Sequence, residues 1–142
     1  MDARIVVDAS VLISQLIPYD INHNPSLFWL NRFSADGGML VAPVFLQIEV
    51  AAAISRLTGR PALARKALDD MISTDRIHFV PLDSALVQAA IDVATDLQLR
   101  AGDSIYVALA RQLNIPLVSW DKEQLQRTAG IITTYIPSNY VF

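Results

Sequence analysis

Five short apolar runs, Ile5–Val7, Met39–Ala42, Ile77–Pro81, Ile115–Ser119 and Ile131–Tyr135, are separated by segments long enough for one or two helices. That alternation constrains the fold more than any other feature of the chain. Strands joined by helical crossovers run parallel, and a parallel sheet needs both of its faces covered. Ile5-Val6-Val7 has no polar alternation, as a strand buried on both sides requires. A length of 142 residues leaves room for one core. The expectation is an α/β fold in a single domain over residues 1–142, with a mostly parallel central sheet of about 4–5 strands and helices on both faces.

The helical segments have their own punctuation. A short helix is predicted from Ser10. Asn22-His23-Asn24-Pro25 breaks the chain, and Pro25 suits the first turn of a helix through Phe28, Trp29 and Phe33 to Gly37-Gly38. Leu46, Val50, Ala53 and Leu57 then recur at helical spacing after Pro43, until Gly59 closes the run. Pro61 opens another helix to about Ser73. Asp83 or Ser84 can cap a long one carrying Leu86, Ala90, Val93 and Leu97 on one face. Gly102 is expected to punctuate before a helix over Asp103–Leu113, and Asp121–Ala129 to form a short one. No repeat, low-complexity tract or internal linker interrupts the pattern.

Composition removes several chemistries. The chain has no cysteine, hence no disulfide, zinc–thiolate site or cysteine nucleophile. His23 and His78 are its only histidines, too few for a three-histidine zinc site, and read as a turn and a strand residue. No G-x-S-x-G elbow, Walker phosphate loop or dinucleotide fingerprint occurs. The longest uncharged stretch, Thr128 to Phe142, has 15 residues and is broken by Gly130, Pro137 and Asn139, so no spanning helix is expected. Asp2 and Asp8 flank Arg4, which is unlike a secretory leader; a cytoplasmic, membrane-free protein is expected.

In open parallel sheets a ligand site lies beyond the carboxyl ends of strands. Asp8 follows the first predicted strand and Asp121 the fourth, one residue past Ser119-Trp120. Each also precedes a helix, where Asp is a favoured N-cap. Asp103 could cap its helix or lie in its first turn. Glu49 sits mid-helix beside an apolar stripe, where a carboxylate is rarely buried unless paired or bound to a cation; Arg56 is a possible partner. Four carboxylates gathered at one sheet edge would repel unless a divalent cation neutralised them, and oxygen ligands suit Mg²⁺ or Mn²⁺.

The blocks holding these acids form a pattern. Val6-Val7-Asp8-Ala9-Ser10-Val11-Leu12-Ile13, the helix from Pro43 through Glu49, Leu99 through Ala110 with Asp103, and Pro116-Leu117-Val118-Ser119-Trp120-Asp121 occur in an order and spacing that resemble PIN-domain proteins. The resemblance covers nearly the whole chain. Among such proteins a single bare domain is most similar to the toxin ribonucleases of VapBC toxin–antitoxin pairs. It implies a Mg²⁺- or Mn²⁺-dependent endoribonuclease with Asp8, Glu49, Asp103 and Asp121 as metal-binding acids and Ser10 and Ser119 as supporting hydroxyls. It further implies an RNA substrate, an antitoxin partner and a homodimer. Ser119 stands where Thr is common, Gly102 where a bulkier residue is frequent, and Leu125 in a region often aromatic.

The formal charge of −3 argues against non-specific coating of nucleic acid, yet Arg56, Arg60, Arg65 and Lys66 fall within eleven residues that contain no acid. They are the candidates to grip RNA phosphates, against the alternative of a solvated helix face. Phe28, Trp29 and Phe33 read as an oligomer interface rather than a stacking platform, Tyr106 as packing, and Trp120 as a shield or filler at the strand end. Two alternatives stand beside the nuclease. One is a non-catalytic PIN-like module that binds RNA or protein. The other is a phosphatase or phosphoacceptor with Asp8 as nucleophile, disfavoured because Asp8-Ala9-Ser10 lacks a second acid two residues on.

Overall fold

The computed structural model describes residues 3–142; Asp2, which entered the reading of the amino terminus, lies outside them. Strands β1 (Arg4–Val7), β2 (Met39–Pro43), β3 (Ile77–Val80), β4 (Leu117–Val118) and β5 (Thr134–Tyr135) form one sheet in the order β3-β2-β1-β4-β5. Every pairing is parallel. The helices are α1 (Ala9–Leu16), α2 (His23–Ala35), α3 (Phe45–Thr58), α4 (Pro61–Ser73), α5 (Ser84–Leu97), α6 (Ala101–Leu113) and α7 (Lys122–Thr128), followed by a 3₁₀ turn at Pro137–Asn139. None is long and apolar enough to cross a membrane.

β1 is the central strand, with Val6 in register with both Val41 and Leu117. Ile5, Val6 and Val7 are all fully buried. Because successive strand side chains point to opposite faces, both faces of the sheet must be covered there. α6 lies against β1, β2 and β4, with α5 packed on it. Every residue of α6 from Ser104 to Ala110 is buried, as expected of a helix enclosed on all sides.

Three expectations are corrected. α6 begins at Ala101, so Gly102 lies inside its first turn rather than before it. β4 and β5 shrink to two residues each. Pro116 gives its carbonyl to the Val6 amide but has no N–H with which to extend the ladder. Finally, Trp29 and Phe33 are core rather than interface: both are buried, their rings stack at 4.9 Å, and Tyr140 meets them edge-on at 5.6 and 5.8 Å. The carboxyl-terminal turn folds back over α2 and supplies that partner. Phe28, on another face of α2, stays exposed.

The helix stops are local. Gly59 closes α3 at φ +66°, a left-handed conformation that glycine adopts without steric cost. What positions the site is the order of the strands. The chain moves outward from β1 to β2 and β3, then returns to the other side of β1 for β4 and β5. The carboxyl ends of β1 and β4 therefore lie side by side at the switch point, where the Asp8 amide donates to the Val118 carbonyl at 3.0 Å.

Candidate active site

Asp8 ends β1 and caps α1, its Oδ2 accepting from the Ser10 amide at 3.1 Å. Ser119 Oγ lies 3.1 Å from the same oxygen. The residue is 5% exposed. Burial pushes its carboxyl above the usual range, hydrogen bonds from Ser10 and Ser119 oppose that rise, and the charge of Asp121 adds to it. Asp121 caps α7 in the same manner, with its Oδ1 accepting from the Gln124 amide at 3.1 Å. Both aspartates thus satisfy a helix terminus and face the switch point; capping and convergence are compatible uses of one side chain.

Glu49 enters from the middle of α3, two turns before the exposed end that carries Arg56. Its partner is Tyr106 rather than Arg56: the phenol, buried on α6, donates to Glu49 Oε1 at 2.5 Å. Burial raises the Glu49 carboxyl, the Tyr106 bond holds it down, and Asp8 and Asp103 push it up again. The Tyr106 hydroxyl is itself driven well above its ordinary value by burial and then by Glu49, so it remains a donor at any working pH. It also lies against the Ala9 amide, next to Asp8. Packing was the expected role of Tyr106; it additionally orients an acid.

Asp103 stands in the first turn of α6, half-buried. Its pKa rises from 3.8 to about 6, first through burial, then through the charges of Asp121 and Asp8, with Arg100 opposing. At Gly102 α6 lies close to α3: a Cβ there would stand 3.3 Å from the Phe45 ring and 3.5 Å from Glu49 Oε2. A methyl group there would meet the Glu49 carboxylate at ordinary contact distance and require only the Phe45 ring to give slightly.

All four predicted acids are therefore electrostatic neighbours, and among the described residues whose charges perturb them only Arg100 is basic. Two hydroxyls join them. Ser10 Oγ accepts from the Trp120 amide at 3.0 Å and lies 3.4 Å from Ser119 Oγ. Ser119 Oγ accepts from the Asp121 amide at 3.0 Å. Trp120 is anchored to α2, its Nε1 donating to the buried Ser26 Oγ at 2.7 Å. The histidines are elsewhere: His23 Nδ1 contacts the Ser14 carbonyl and His78 is exposed on β3.

Arg56, Arg60, Arg65 and Lys66 are not drawn into this cluster. All four are exposed, Arg56 at the end of α3 and the others at or in α4, where Lys66 pairs with Asp70 at 2.9 Å. Gln124 was missed by sequence reading. It is fully buried, its Oε1 3.0 Å from Ser119 Oγ and its Nε2 donating to the Asp103 carbonyl at 3.2 Å. A signal was present, because glutamine three residues after an N-cap is half of a capping box. Its side chain reaches past the cap to the site instead.

The donor set is all oxygen and excess negative, which suits a hard divalent cation. Among the described residues no three histidine, cysteine, aspartate or glutamate side chains form a ready metal cage. The fit is thus one of charge and donor chemistry.

The chain matches the family model described as the PIN domain over residues 5–131, and it belongs to that family. No curated protein matches it. Among solved structures it is similar to Mycobacterium tuberculosis VapC20, a sarcin–ricin loop cleaving toxin, with a TM-score of 0.72 at 16% identity over 90% of this chain and 96% of that one. It is similar to a chain of VapBC2 from Rickettsia felis, solved bound to a promoter DNA fragment, with a TM-score of 0.69 at 12% identity over 94% and 98% of the two chains. PAE2754 from Pyrobaculum aerophilum gives 0.64 at 25% identity over 94% and 92%.

Proposed function

We propose that this chain is a divalent-metal-dependent endoribonuclease, the toxin of a VapBC-type toxin–antitoxin pair. The observation that carries the reading is the convergence of Asp8, Glu49, Asp103 and Asp121 at the switch point, around a buried Asp8, with no histidine among them to act as base. Such a cluster stores repulsion that a cation would relieve. The likeness in fold to VapC20 and to VapBC2 supports the toxin branch of the family.

In this reading Asp8, Asp103, Asp121 and Glu49 would together hold Mg²⁺ or Mn²⁺, with Asp8 contributing most. When bound, the cation supplies an activated water and stabilises charge developing on the phosphate. The chain's own contributions are positional. Ser10 and Ser119 hold the β1 and β4 ends together, and Tyr106 fixes the Glu49 carboxylate. Arg56, about 10 Å along α3 from Glu49 on the same face, begins a basic track continued by Arg60, Arg65 and Lys66 that grips RNA phosphates beyond the cut. The whole chain acts as one domain in the cytoplasm, as a homodimer restrained by an antitoxin.

Purified protein incubated with mixed cellular RNA should give mapped cleavage ends with Mn²⁺ and none when the ion is chelated or when Asp8→Asn is used. Full cleavage by Asp8→Asn sinks this mechanism. RNA binding without any cleavage points to the non-catalytic alternative. Neutralising Arg56 or Arg60 should lower the salt slope of RNA binding by about one charge each.

A further inference from the structure

We propose that Gln124 is a positioning residue of this site: it fixes the spacing of the Asp103 and Asp121 segments and competes with Asp8 for the Ser119 proton, so that less of the Asp8 charge is spent on that hydroxyl. The inference rests on the metal-dependent reading above.

Gln124 is a buried amide with no apolar reason to be where it is. Its three bonds run to the two segments that carry Asp103 and Asp121. The backbone N–H donates to Asp121 Oδ1 at 3.1 Å, Nε2 donates to the Asp103 carbonyl at 3.2 Å, and Oε1 meets Ser119 Oγ at 3.0 Å. α7 is thereby tied to the first turn of α6 on one side and to the end of β4 on the other. Those attachments set where Asp103 and Asp121 stand relative to each other and to Asp8.

Donor counting gives the second part. A carbonyl only accepts, so the Asp103 carbonyl fixes the NH₂ end of the amide toward α6 and its oxygen toward Ser119. The Ser119 hydroxyl must then be the donor of that bond, and it has one proton. A lone pair of Ser119 receives the Asp121 amide at 3.0 Å. Asp8 Oδ2, which also accepts from the Ser10 amide, stands 3.1 Å from Ser119 Oγ and competes with Gln124 Oε1 for that one proton. A proton drawn toward Gln124 leaves the Asp8 carboxylate better able to take a positive charge. An apolar residue at 124 would release the proton to Asp8, where it would compete with that charge, and would leave α7 free to drift from α6.

The test is Mn²⁺ affinity, read by electron paramagnetic resonance of the free ion, on wild type, Q124M, S119A and the double variant, each checked for a cooperative melt. Q124M should bind Mn²⁺ roughly tenfold or more weakly, the usual range when a group that orients metal ligands is removed. The Mn²⁺ needed for half-maximal cleavage should rise by the same factor, with no change in the RNA concentration for half-maximal rate at saturating Mn²⁺. S119A should also weaken binding, and the double variant should be little worse than Q124M, because both changes cut one link. A folded Q124M with wild-type Mn²⁺ affinity overturns the proposal. If Q124M does not fold, S119A decides, and wild-type affinity there overturns it equally. Wild-type protein that binds Mn²⁺ without cutting RNA would end the nuclease reading while leaving this inference standing. Wild-type protein that binds no Mn²⁺ would overturn the inference as well.

Discussion

The β1–α1 and β4–α7 junctions are built from the same parts: a strand end, an aspartate that caps the following helix, and a serine two residues away. Ser10 follows Asp8, whereas Ser119 precedes Asp121. Yet Asp8 is almost wholly buried and Asp121 is only partly so. Both β1 and β4 have strands on either side, but β1 is the central strand and Asp8 directly continues it. Asp121 lies two residues farther past its strand, beyond Ser119 and Trp120, after a strand of only two residues. Distance from the central strand, not the local motif, decides which aspartate loses its water. The more buried carboxylate costs more to ionise and gains more from a neutralising cation.

The largest test of that difference is activity. Asp8→Asn should lower RNA cleavage by at least about a hundredfold, because even groups that merely orient metal ligands cost 10- to 100-fold. Its melting temperature should not fall, since Asn also caps helices and the substitution removes a repelling charge. Asp121→Asn should cost less, on the order of 10- to 100-fold. Equal losses would show that burial does not rank the two ligands.

Next in size is the serine pair, read by chemical denaturation. Ser119→Ala strips a buried donor from Gln124 and an acceptor from the Asp121 amide, and should cost about 1–3 kcal/mol. Ser10→Ala removes only a partly buried acceptor, worth about 0.5–1.5 kcal/mol. A reversal would place the structural weight on the β1 side.

The pH dependence of the metal-free protein follows in size. A carboxyl whose folded pKa is raised favours the fold while protonated. That contribution is complete below the unfolded value and is lost as pH rises through the folded one, from 3.8 to about 6 for Asp103. Metal-free wild type should therefore lose stability relative to Asp103→Asn between pH 4 and pH 7. Solvent screening of this half-exposed group limits the loss to on the order of 1 kcal/mol. Mn²⁺ at pH 7 should restore it, and a flat difference across that window would deny the coupling. The smallest effect concerns the caps. Asp121→Ala should cost about 0.5–1 kcal/mol, whereas in Asp8→Ala relief of the buried charge offsets the lost cap, leaving little net change in the denaturation midpoint.

Much of this was legible in order and spacing. The strands appeared as β-branched runs, and the α3 stop as Gly59. Asp8 and Asp121 stood after strands, Asp103 at a helix start, and Glu49 where a charge interrupts an apolar helix. Other parts were hidden because they depend on contacts between distant segments. Trp29 and Phe33 looked like an interface until Tyr140, more than a hundred residues on, was found against them. Tyr106 looked like filler because its partner lies 57 residues earlier. Gln124 resembled an ordinary capping-box residue, since a cap is read from three-residue spacing and a buried cross-link is not.

The sequence by itself determined the parallel α/β architecture and the identity of the acidic set, because hydrophobic period and strand-end position are properties of consecutive residues. Only the tertiary structure decided which acid is buried and which hydroxyl and phenol hold the acids. Those outcomes depend on strand order and helix approach, which bring residues more than a hundred positions apart within hydrogen-bonding distance and set how much water each keeps.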